Sequence, residues 1–192
     1  MPVLDAYVSA RDFTGALAAL KASRRRPLTG VDPAGCPKIL AAILEHWPQP
    51  VTGLLEYLSD QILTIQVLDQ GDGPLTDRAA HRLATEPGTA CRWRHGLLTG
   101  WDGTVAAHTR LIWLPGRLPD AARAGLDAGD EPAGVILGRL GAVRTDRHAM
   151  PAATGDGPTG AVVSHAVLTA GGAAVAIAKE AITRGFAESL TR

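Results

Sequence analysis

Apolar residues recur along the chain first at helical and then at alternating spacing, and the change of period marks out its elements. Phe13, Leu17 and Leu20 predict a helix over residues 11–23. Ile39, Leu40, Ile43 and Leu44 predict another from Pro37 to Trp47, where Pro48 and Pro50 stop it. A third follows with Thr52 as its N-cap and Leu54, Leu55 and Leu58 as its apolar face, so the two form a helix, a proline-rich elbow at Val51, and a helix. Residues 62–68, ILTIQVL, are β-branched and predict a strand ended by the turn Gln70-Gly71-Asp72-Gly73-Pro74. Residues 75–88 read as a short helix or an irregular crossing.

Residues 91–115, CRWRHGLLTGWDGTVAAHTRLIWLP, predict two strands joined through Trp101-Asp102-Gly103. Alternation puts Arg92, Arg94, Gly96 and Leu98 on one face of the first arm, and His108, Arg110 and Ile112 on one face of the second. At least one arginine therefore points where a core belongs. It must meet a bound carboxylate, an Asp or Glu of the chain, or solvent, since an unpaired buried guanidinium costs several kcal/mol.

A second helical pair is expected over residues 118–128, with Pro119 in the first turn, and 131–140, around Pro132 and Gly134. A short strand follows at 142–147 and a loop at 150–160. The alanine-rich segment from Ala173 has the composition of a helix. Yet the strand-like AVVSHAVLT before it and the turn Ala170-Gly171-Gly172 predict a hairpin over 161–169 and 175–182.

At 192 residues and 46% hydrophobic content the chain is expected to form one domain, 1–192, with residues 1–30 as a helical extension. Nineteen basic and nineteen acidic residues leave no net charge, which argues against nucleic acid or an anionic membrane as a partner. Arg24-Arg25-Arg26 before Pro27 reads as a helix end. There is no leader-like start and no apolar run near the roughly 18 residues a membrane helix needs, so a cytoplasmic protein is expected. Cys36 and Cys91, far apart and without CxxC spacing, read as packing residues.

Taken in order, these segments resemble the chorismate pyruvate-lyase family. The matching features are Pro50-Val51-Thr52-Gly53-Leu54-Leu55-Glu56 before a strand; Trp93-Arg94-His95, Asp102-Gly103 and Arg110 in a hairpin; Pro132-Ala133-Gly134 in a helical pair; Arg144-Thr145-Asp146-Arg147; and Glu180 in a last strand after a glycine turn. The likeness covers roughly residues 39–183. It implies an α+β fold, a single antiparallel sheet of about six strands with helices against it, and an internal site under two helix-turn-helix flaps.

The resemblance further implies a lyase that eliminates pyruvate from chorismate to give 4-hydroxybenzoate, without metal or organic cofactor. Arg94 would hold a carboxylate as a charge-assisted pair, helped by backbone N–H groups near Val51 and Ala133. Glu180, on a face with Ala178 and Ile182, would carry a raised pKa and handle a proton. Arg110, and one of Arg144 and Arg147, would bind a second carboxylate or support the sheet; His95 and His108 read as structural. Two other readings stay open: a non-catalytic aromatic-acid-binding domain of the same fold, and an enzyme giving another hydroxybenzoate isomer. The number of subunits is not set by the sequence.

Overall fold

Six strands form one antiparallel sheet in the order β1-β2-β3-β6-β5-β4, the architecture expected from the sequence. The computed structural model describes residue 28 and residues 32–152 and 160–192; the helix expected at 11–23 lies outside them. The elements are α1 (Cys36–His46), α2 (Val51–Ser59), β1 (Thr64–Pro74), α3 (Asp77–Arg82), β2 (Ala90–Thr99), β3 (Val105–Trp113), α4 (Asp120–Ala128), α5 (Ala133–Arg139), β4 (Val143–Pro151), β5 (Gly160–Ala170), β6 (Ala173–Thr183) and α6 (Arg184–Ser189).

The sheet has a front face carrying two helical groups and a back face crossed at one end by α3. On the front, α1, α2 and α6 bury Leu40, Leu44, Leu55 and Phe186 against Leu98, Ala107, Val162 and Ile182. At the other end α4 and α5 bury Leu126 and Leu137 against Leu111, Trp113, Leu168 and Ala176. On the back, Ala80 and Leu83 of α3 cover Cys91, Val167, Ile112 and Ile177. Both cysteines are buried free thiols, and none of the described helices is long and apolar enough to cross a membrane.

Three local expectations are corrected. The turn expected at Gln70-Gly71-Asp72-Gly73-Pro74 is strand: β1 runs on to Pro74 and pairs with β2 as far as Ala90. Gly71 is there because the Trp93 ring lies over it; a Cβ at Gly71 would stand 2.9 Å from that ring. Thr52 is not the cap of α2. The helix starts at Val51 with Pro50 at the N-cap position and no side-chain cap. The loop expected from Met150 begins later, since β4 extends to Pro151; residues 153–159 lie outside the described part.

The alanine-rich segment from Ala173 is a strand despite its composition. β6 is paired along its length with β3 on one side and β5 on the other, and these two ladders outweigh the helical preference of alanine.

Candidate functional site

Between the two helical groups the front face is left with two cross-strand rows. One is Arg94, Leu111, Ala178 and Ala166; the next is Gly96, Thr109, Glu180 and Ser164. Small side chains in both rows leave space unfilled beneath the helical elbows, a cavity of about 40 Å³ bordered by Arg94, Glu180, Thr109, Leu111, Val51 and Ala133. That volume holds roughly three water-sized positions. A ring-bearing ligand enters only if the helical elbows part.

Arg94 is 3% exposed. Its guanidinium donates to the Leu126 carbonyl at 3.1 Å and the Glu131 carbonyl at 3.5 Å, so it rises from the sheet and ties down the α4–α5 elbow. No ion pair forms on it among the described residues, and burial pulls its pKa below the ordinary arginine range. It is a buried cation with neutral acceptors only, beside an apolar wall, where an anion gains most from it.

Glu180 is equally enclosed. Burial pushes its pKa up to about 7, against the opposing pull of the Arg144 charge and a hydrogen bond from Ser164. One carboxyl oxygen, Oε2, has no partner among the described residues. Ser164 in turn accepts from Arg144 Nη2 at 2.5 Å, while Arg144 Nη1 donates to the Leu44 and Trp47 carbonyls at 2.8 and 3.2 Å. Arg144 therefore does for the α1–α2 elbow what Arg94 does for α4–α5. It stands behind Glu180 and does not line the cavity.

The two elbows close directly on each other. A Cβ built on Gly134 would lie 2.5 Å from Thr52 Oγ1 and 3.1 Å from Pro50 Cβ. Gly134→Val is therefore expected to hold the elbows apart. Stopped-flow measurement should show release of a bound benzoate accelerated by about tenfold, the order of effect of roughly 1.4 kcal/mol, with the fold retained. An unchanged release rate would mean the elbows do not gate the cavity.

Of the site residues expected from sequence, Arg94, Glu180, Val51 and Ala133 meet at the cavity. Neither Arg144 nor Arg147 borders the cavity: Arg144 stands behind Glu180 on Ser164, and Arg147 donates to the His46 carbonyl near the surface. Arg110 is corrected. It borders the cavity at its strand position, but it is exposed and stands opposite His95 and Lys179, on the face away from Arg94. The reason is register: Arg94 pairs with Leu111, so the odd residues of β3 share its face. Sequence reading missed Thr109 and Ser164, which flank Glu180 across both ladders. Their only signal was register.

No protein-family model matches the chain, and no curated protein sequence does. Solved structures share its fold. The effector domain of PhnF from Mycobacterium smegmatis is 13% identical and superposes with a TM-score of 0.53 over 71% of this chain and 91% of that one. A longer structure of the same PhnF is 12% identical, with a TM-score of 0.50 over 67% of this chain; the chain spans 61% of that structure. A GntR-family transcriptional regulator from Bacillus cereus is 8% identical, with a TM-score of 0.44, 63% of this chain and 91% of that one being covered. At these identities the likeness is one of fold.

The likeness overturns the assignment to the chorismate pyruvate-lyases, and with it the lyase activity, chorismate as substrate, and 4-hydroxybenzoate and pyruvate as products. The structures that share this architecture at TM-scores of 0.50 and 0.53 are PhnF and its effector domain. The exclusion of a nucleic-acid partner falls too, because an even charge balance describes this chain's own surface and nothing joined to it.

Proposed function

We propose that the chain is a non-catalytic effector-binding domain that takes a small organic anion, an aromatic acid by preference, into the cavity between Arg94 and Glu180. The observation that carries this is Arg94: a buried guanidinium without a carboxylate partner among the described residues, facing a largely apolar enclosure. The anion sits on Arg94, with backbone N–H groups near Val51 and Ala133 beside it, and the ring lies over Leu111 and Ala178. Glu180, its pKa raised by burial so that it holds its proton below neutrality, hydrogen-bonds a polar substituent on the far side. Arg144 positions Glu180 through Ser164. Such a domain works in the cytoplasm as the sensing part of a regulator, and residues 1–192 act as one unit.

Calorimetric titration with 4-hydroxybenzoate is the test. Saturable binding at one site is expected, with the ligand recovered chemically unchanged. Absence of binding up to millimolar ligand would sink the reading, as would conversion of the ligand.

A further inference from the structure

The back face carries a row of charged and titratable side chains that the front cavity does not use. Register sets Asp69, His95, Arg110, Lys179, His165 and His148 opposite one another in turn, so the row crosses all six strands. At about 4.8 Å between strands, the five basic or imidazole positions extend over about 19 Å. Arg110 and Lys179 are directly opposed like charges, an arrangement that weakens a sheet unless something negative lies over it. Both are exposed, and neither has an ion pair among the described residues. Of the carboxylates nearby, Asp69 stands opposite His95, two strands from Arg110, and Asp146 is already engaged by Arg82 and His148.

Two clefts meet at the middle of this row, and His95 and Arg110 border both. One, of about 280 Å³, is completed by Leu68, His108, Lys179 and Ala181. The other, of about 250 Å³, is apolar and is walled by Leu75, Cys91, Trp93 and Ile112. His95 Nε2 is buried at their junction and has no hydrogen-bond partner among the described residues.

We propose that this is a second ligand site, for an organic oxyanion: a carboxylate or phosphate held between Arg110 and Lys179, with a flat apolar group laid in the cleft beside Trp93 and Ile112. Two fixed cations supply charge-assisted contacts to the oxygens, and the adjoining cleft supplies an apolar seat. The site is separate from the front cavity, because Arg94 and His95, Thr109 and Arg110, and Lys179 and Glu180 are neighbours along strands whose successive side chains face opposite ways.

Phenyl phosphate, benzoate and inorganic phosphate are the probes, titrated by calorimetry at low salt into the full chain, into Arg94→Gln and into the double variant Arg110→Gln, Lys179→Gln. Phenyl phosphate or benzoate should bind a site that survives Arg94→Gln and weakens at least tenfold in the double variant. The stronger of these two probes identifies the headgroup. Both substituted side chains are exposed, so the fold should hold, and circular dichroism checks it. Equal binding of both probes by the double variant and the wild-type chain overturns the proposal, as does the absence of any site that survives Arg94→Gln. Inorganic phosphate binding as tightly as phenyl phosphate removes the apolar seat, and a duplex oligonucleotide binding there in place of the small anions replaces it with a polyanion surface.

Discussion

Arg94→Ala is expected to weaken binding of 4-hydroxybenzoate by about 100-fold, the equivalent of about 3 kcal/mol. Removing the guanidinium takes away the one cation on the cavity wall that already sits clear of solvent, so no hydration shell must be stripped from it when the anion arrives. It also takes away the donor that ties the Leu126 and Glu131 carbonyls to the sheet. A stability loss of about 1–3 kcal/mol should accompany the affinity loss, seen in urea unfolding. Arg94→Lys separates the two effects: it keeps a point charge but cannot hold two carbonyls and a carboxylate in one plane, and should recover only part of the affinity. Undiminished binding by Arg94→Ala would place the anion elsewhere.

Glu180→Gln is expected to remove a pH dependence that the wild-type chain shows. The folded-state pKa of Glu180 lies at about 7, above the ordinary value of 4.5. The folded state therefore favours the proton. The associated stability is fully present below pH 4.5, declines as pH rises, and is gone above about 7; a shift of this size corresponds to about 3 kcal/mol. Ligand affinity should follow the same sense. An aromatic acid is ionised throughout that range, and once Glu180 ionises the cavity holds two negative charges, so wild-type affinity falls between pH 6 and 8. The glutamine variant should lose the fall in affinity and, of the stability profile, the component that Glu180 contributes. A wild-type profile that is itself flat would mean that Glu180 ionises freely and that its enclosure is incomplete.

Much of the fold was legible because the chain announces its elements locally. Proline pairs end α1, Asp102-Gly103 and Gly171-Gly172 turn the hairpins, and the apolar spacing of Leu54, Leu55 and Leu58 fixes the buried side of α2. What failed was decided at a distance. Gly71-Asp72-Gly73 has turn chemistry, yet its backbone is claimed by β2 and its lack of a side chain by Trp93. Arg94 and Glu180 could be placed by alternation within their own strands, whereas Arg110 could not, because its face depends on which residue of β2 it pairs with. The lyase assignment went wrong for another reason. A buried arginine, a hidden carboxylate and two elbows are what an enclosed anion site requires, and one architecture serves both catalysis and sensing.

The two ends of the described chain are stitched together. Cys36 Sγ at the start of α1 donates to the Ala187 carbonyl in α6 at 3.2 Å, and Leu28 shares a core with Phe186 and Leu190. Residue 28 and the C-terminal helix α6 therefore share one corner, against the very helix whose last turn Arg144 grips. Seen as a machine part, α1 is a lever, with its last turn held by Arg144 behind Glu180 and its first turn pinned to α6 by Cys36.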